Sequence, residues 1–109
     1  MTSRLALVAV LVAGAGYQPA VAVHRAHLAV PTTTPLTVRG TLFRAAERVV
    51  VVAQANGEHR RTVTTSTRGT FLIRFAGVAL GNCTGYVIRA SGNRGSYASL
   101  RVIPECAAP

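Results

Sequence analysis

Side chains able to act as nucleophile, general acid–base or metal ligand are few in this chain and widely spaced. The carboxylates are Glu47, Glu58 and Glu105, the imidazoles His24, His27 and His59, and the thiols Cys83 and Cys106. Hydrolysis by paired carboxylates needs two acids across one cleft, and no two Glu stand together. A Ser-His-acid relay would have to use His59, because His24 and His27 fall in the N-terminal tail. Glu58 precedes His59 on what reads as a strand, so the two point to opposite faces. His24 and His27 near a free amino terminus could hold a copper or nickel ion; a solvated tail is the plainer reading. Two Cys without a nearby His make a poor zinc site. No glycine-rich phosphate loop precedes a helix, which leaves nucleotide binding unsupported. The expectation is a protein with no catalytic residues, no metal and no cofactor. Asn82-Cys83-Thr84 matches a glycosylation sequon, read here as chance. Thr32 to Thr34 are the better site for O-linked sugars.

The charge is lopsided. Twelve Arg, no Lys, no Asp and three Glu give a formal net charge of +9. Such a surface attracts phosphates, nucleic acid or an anionic envelope. The alternative is a solvated surface whose Arg bias comes from a GC-rich genome, and the single scattering of the arginines favours it; only Arg60-Arg61 are adjacent. For an anionic ligand the candidate contacts are Arg39, Arg60, Arg61, Arg74 and Arg89, most of them on outward strand positions. Nucleic acid fits less well, because Tyr97 is the one aromatic left for an outer face.

The elements that must position these residues begin after an export leader. Met1 to Arg4 is a short basic start, Leu5 to Ala15 an apolar run too short to span a bilayer comfortably, and Ala20-Val21-Ala22 a small-x-small cleavage site. Residues 1–22 read as a helical signal peptide, with an uncleaved membrane anchor as the alternative. Residues 23–35, with Pro31-Thr32-Thr33-Thr34-Pro35, read as an extended, poorly ordered linker. The domain proper is expected over 36–106. Export implies an oxidising compartment, which pairs Cys83 with Cys106 rather than leaving free thiols or a metal pair.

Within the domain the pattern is short strands and Gly-containing turns. Leu36 to Gly40 alternates apolar and polar as a first strand. Thr41 to Glu47 is a connection with Phe43 as its anchor. Arg48 to Gln54 and Glu58 to Ser66 read as strands around an Asn56-Gly57 turn, since both residues tolerate positive φ. A two-residue turn there sets Val63 opposite Val50. Thr67-Arg68-Gly69 then reads as a three-residue hairpin loop, setting Val63 opposite Ile73 and Thr65 opposite Phe71. The implied core face holds Val50, Val63, Phe71, Ile73 and Phe75, with Val49 and Val51 on the other face. Ala76 to Gly85 is a loop. Asn93-Arg94-Gly95 joins the last two strands with Tyr86 opposite Val102, Ile88 opposite Leu100 and Ala90 opposite Ala98. That hairpin brings Cys83 and Cys106 to its open end, within the roughly 7 Å Cα separation a disulfide needs. About six strands without helical periodicity predict an all-β antiparallel sandwich, with sheet order open between meander and Greek key.

Two stretches carry a resemblance. Val63-Thr64-Thr65-Ser66-Thr67-Arg68-Gly69-Thr70-Phe71 with Gly85-Tyr86-Val87-Ile88, and Leu36 to Phe43 followed by Glu47-Arg48-Val49, resemble secreted bacterial Ig-like domains of the carboxypeptidase-regulatory-like type. Two positions depart from that pattern: the turn at Arg68 lacks the acidic residues usual there, and Ala46 replaces the usual Gly before Glu47. The resemblance implies a small Ig-like (transthyretin/fibronectin-III-like) sandwich of six to seven strands and a non-catalytic accessory role. The functional expectation is a secreted or envelope-located module binding an anionic envelope polymer or an extracellular protein. The alternative is a partner-binding or inhibitor module acting through the 76–85 loop.

Overall fold

Val, Ile and Thr dominate the mid-chain because two heavy atoms on Cβ suit a pleated surface. The computed structural model describes residues 23–104 and Cys106; the signal segment expected over residues 1–22 lies outside the described residues. Among the described residues the chain is all-β: β1 (His24–Arg25), β2 (His27–Thr33), β3 (Leu36–Thr41), β4 (Arg48–Gln54), β5 (Glu58–Thr64), β6 (Phe71–Arg74), β7 (Tyr86–Gly92) and β8 (Ser96–Val102). They form a five-stranded sheet in the order β1-β8-β7-β4-β5 and a three-stranded sheet in the order β2-β3-β6. β1 runs parallel to β8, and the other neighbours are antiparallel.

One core lies between the sheets. Val49, Val51, Ala53, Ile88, Ala90 and Ala98 enter it from the larger sheet, and Leu28, Leu36, Val38, Phe71 and Ile73 from the smaller. Phe43 and Phe71 stack at a tilt with centroids 5.2 Å apart, so the connection after β3 is pinned by the anchor expected for it. The inward set on β6, Phe71, Ile73 and then Phe75, is the one the sequence pattern indicates.

Residues 23–35 differ from the linker expected there. They are extended, but β2 pairs with β3 through Leu28–Gly40 and Thr33–Leu36, with a register shift between Ala29 and Thr32. Pro31 falls inside that shift, where a strand without one N–H is tolerated. Leu28 is buried, and Ala26 is buried where the chain passes from one sheet to the other. The Thr34–Pro35 peptide in the β2–β3 turn is cis.

The register of β4 also differs from the expected one. Gln54 pairs with Glu58, so the connection holds Ala55, Asn56 and Gly57, and Val63 lies opposite Val49 rather than Val50. A slip of one residue exchanges the two faces of a strand. Val49 and Val51 are therefore the buried pair, and Val50 and Val52 are half-exposed. The neighbours supply the reason. In this register Val50 and Val52 lie beside Thr62, Arg60, Ser91 and Arg89, which need water, and Val51 and Ala53 lie beside Ala90 and Ile88.

The turn at Thr67-Arg68-Gly69 closes locally as expected, with the Ser66 N–H donating to Thr70 O at 2.9 Å. It does not make a β5–β6 ladder. β5 pairs with β4 and β6 with β3, so the chain crosses between sheets here and Val63 never faces Ile73. The Thr65 N–H donates to Glu47 O and the Phe43 N–H to Gly69 O, which docks the turn on the β3–β4 connection. Gly69 sits at φ 75 against the Phe43 carbonyl, where a side chain has no room.

The last hairpin has the expected register, Tyr86–Val102, Ile88–Leu100 and Ala90–Ala98. Cys83 and Cys106 form the expected disulfide, with Cα atoms 5.4 Å apart.

Two stability measurements check this packing by denaturant unfolding. Val51, 0% exposed, should cost about 2 kcal/mol or more as Val51→Ala, and Val50→Ala less than about 1 kcal/mol. Ala46 has φ 52, in the left-handed region that glycine tolerates. Ala46→Gly should therefore raise stability, by about 1 kcal/mol.

Candidate interaction face and the buried carboxylate

Strand alternation and the observed registers fix what the outer face of the five-stranded sheet presents. Across it run three rows: Arg101, Val87, Gln54 and Glu58; Ser99, Arg89, Val52 and Arg60; and Tyr97, Ser91, Val50 and Thr62. Arg25 on β1 extends the third row beside Tyr97, and Arg48 with Thr64 begins a fourth. Rows lie about 7 Å apart and strands about 4.8 Å apart. Among the described residues, five arginines thus share one face with a single carboxylate, Glu58.

Glu58 meets Arg60 at 3.8 Å, with both side chains more than half exposed, and accepts a hydrogen bond from Gln54 Nε2 at 3.0 Å. An ion pair in that setting contributes roughly 0–1 kcal/mol. Between Arg60 and Arg89 the floor is Val50 and Val52, forming a shallow hollow of about 470 Å³. A second hollow of about 450 Å³ lies along Val23, Arg25 and Tyr97, the last 45% exposed. The face thus combines cationic side chains with apolar floor.

The five arginines singled out from sequence do not form one site. Arg60 and Arg89 flank Val52 on this face. Arg39 and Arg74 lie on the opposite side of the molecule, on the outer face of the smaller sheet, across from Leu72 and Thr37. Arg61 faces the open edge between the sheets, its guanidinium 5.9 Å from the Phe75 ring centroid. Arg25, Arg48 and Arg101 join the larger face unanticipated. The Val49–Val63 register places Arg48, β8 places Arg101, and only the pairing of β1 with β8 places Arg25.

Two of the three histidines are held by backbone. His59 Nε2 lies 3.1 Å from Ala55 O, and its ring stands edge-on to Phe75 at 6.4 Å. His24 Nε2 lies 2.7 Å from Leu42 O, and His27 is exposed on β2. Among the described residues no three His, Cys, Asp or Glu side chains gather as a metal site.

Glu47 is the group whose role sequence reading missed. Its side chain is 0% exposed. Its carboxylate accepts N–H bonds from Arg44 at 3.1 Å, Arg94 at 2.8 Å and Ser96 at 3.2 Å. Its own N–H donates to Thr65 Oγ1 at 2.8 Å, and that hydroxyl donates to Arg44 O at 2.6 Å. Above the carboxylate, Arg44 Nε donates to Arg94 O, and Arg94 Nη1 to Ala45 O. Burial alone would push the carboxyl pKa up; the hydrogen bonds from Ser96, Arg94 and Arg44 together outweigh it and hold the pKa below the usual value. Held by three backbone N–H groups and sealed from water, this carboxylate fastens loops together. A Cβ on Gly92 would run into it, so the glycine is required there. The one signal in the sequence was Glu47 at a fixed place within the resembled pattern.

No protein-family model matches the chain, and no curated protein matches it.

Because the folded pKa of Glu47 is lowered from its ordinary value, the stability it contributes is fully present above the unfolded pKa and is lost as pH falls through the folded pKa. Glu47→Gln turns an NH₂ group toward backbone donors and should cost about 1–3 kcal/mol at pH 7. In urea titrations between pH 7 and 3, the variant should also lose less stability on acidification than the parent.

Proposed function

We propose that this chain is a secreted, non-catalytic Ig-like β-sandwich module that binds an anionic partner at the cell envelope or outside the cell through the outer face of its five-stranded sheet. The observation that carries the reading is the gathering of Arg25, Arg48, Arg60, Arg89 and Arg101 on that face with Glu58 as the only carboxylate among the described residues. A low-dielectric sheet surface studded with one sign of charge attracts polyanions over several ångströms. Arginine is suited to hold carboxylate and phosphate oxygens two at a time.

Three further features support the parts of this reading. The chain passes between the sheets after β1, β3, β5 and β6, and the β4–β7 stretch does so in a Greek-key manner shared with Ig-like sandwiches. The Cys83–Cys106 bridge suits an oxidising compartment. The buried, hydrogen-bonded Glu47 and the backbone-bonded His59 speak for a binding role. The alternative, a partner-binding or inhibitor role for the 76–85 loop, has less behind it. Val78 and Leu80 are buried, and the exposed positions carry Ala76, Gly77, Ala79, Gly81, Asn82, the bridged Cys83 and Gly85, none of them the aromatic or Arg anchor typical of a binding hot spot.

Retention on immobilised polyglutamate and on a phosphate-bearing resin tests the reading. The paired substitution Arg60→Glu with Arg89→Glu should weaken retention at least ~10-fold at low salt, and Arg39→Glu with Arg74→Glu less than ~3-fold. Raising the salt to about 0.5 M should release the parent. Equal losses from the two pairs, or salt-insensitive retention, would overturn the assignment to this face.

A further inference from the structure

β5 is the exposed edge of the larger sheet, bordered by β4 alone. The Thr65 N–H donates to Glu47 O and the Ala55 N–H to Gly57 O, which fixes the alternation of the ladder. In an antiparallel pair every second residue turns its N–H and C=O away from its partner. On β5 those residues are Glu58, Arg60, Thr62 and Thr64, leaving a row of four open backbone positions. Natural sheets blunt such edges with charge, proline or brevity. This edge is seven residues long and contains no proline; its protection is the pair Arg60-Arg61, the sole adjacent arginines in the chain.

The two arginines leave the strand on opposite sides. Arg60 points to the outer face. Arg61 reaches across the gap toward β6, where its Nη1 lies a long 3.4 Å from Arg74 O and no carboxylate meets it among the described residues. Beside it is an open hollow of about 360 Å³, bounded by His59, Arg61, Phe75 and Val78. A second copy of the chain is a poor occupant, since antiparallel self-pairing centred on the strand sets Arg61 against Arg61.

The geometry points to β5 as a strand-addition site for an extended acidic segment of another protein, with two successive carboxylates opposite Arg60 and Arg61 and an apolar side chain entering the hollow against Phe75. Main-chain bonds to the four open positions hold the segment, and the paired charges select it. This site shares Arg60 with the flat arginine face but is held by main-chain groups that point away from it along the β5 edge, so loss of the open N–H groups separates strand addition from binding to that face.

Titration of the full chain with a synthetic Thr/Val-rich decapeptide carrying a central Glu-Glu tests it. Amide hydrogen exchange is the readout. Exchange at Glu58, Arg60, Thr62 and Thr64 should slow at least ~10-fold on peptide addition, as expected for groups newly bonded across a ladder. N-methylation of alternate peptide amides should abolish the effect, and a Gln-Gln peptide should weaken it. Thr62→Pro removes one outward N–H without touching the β4 ladder, and unchanged circular dichroism will confirm its fold. That variant should lose peptide binding and keep retention on the phosphate-bearing resin, which has no peptide backbone to add as a strand. Peptide binding that survives Thr62→Pro or N-methylation, or that leaves those four amides unprotected, overturns the proposal; so does the absence of binding.

Discussion

The fold depends on a carboxylate that water cannot reach. Glu47 takes N–H groups from its own loop and from the β7–β8 turn, and its backbone is held by Thr65 beyond β5. Three connections meet there, and each supplies groups the others need. An ionised carboxylate is costly to bury unless its oxygens are hydrogen-bonded. Here they are, by backbone donors whose positions the strands set in advance. The same bonds decide where the chain turns: Thr65 is held to Glu47, so β5 ends there and the next strand must begin in the other sheet. Gly92 completes the corner by leaving space for the carboxylate.

Much of the strand content was legible in the sequence, and the legible parts share a cause. The β7–β8 hairpin was readable because Asn93-Arg94-Gly95 fixes a register by itself and the strands alternate cleanly. The disulfide followed from that register. The buried face of β6 was readable from Phe71, Ile73 and Phe75. The face of β4 was not, because Val49 to Val52 is apolar on both sides and only its neighbours on β5 and β7 decide which valines turn inward. An Asn-Gly pair marks a turn without stating whether two or three residues lie outside the ladder. The crossing at Thr67 to Gly69 was hidden for a similar reason, since a tight turn looks alike whether the chain returns to its own sheet or leaves for the other.

The surface was less legible than the core. Arginines read singly from strand positions gave no sense of a face until the sheets were assigned. Once Arg39 and Arg74 fall on the smaller sheet and Arg60 and Arg89 on the larger, the charge proves unevenly distributed. Val50, assigned to the core face from sequence, joins Val52 as the apolar floor between arginines. The one-residue slip that misplaced Val50 is thus also what makes the larger face a mixed cationic and apolar surface. Leu72, 59% exposed opposite Arg39, is the large exposed apolar group on the strands of the smaller sheet.

The parallel pairing of β1 with β8 has a mechanical consequence. His24 lies level with Ser96, at one end of β8, while the bridge at Cys106 follows its other end near Val102. Tension between the two ends of the described chain would slide β1 along β8, loading their hydrogen bonds together instead of unzipping them one by one. The covalent link to Cys83 would pass part of that load into the segment ahead of β7, so the last strand could not be peeled away from its tail.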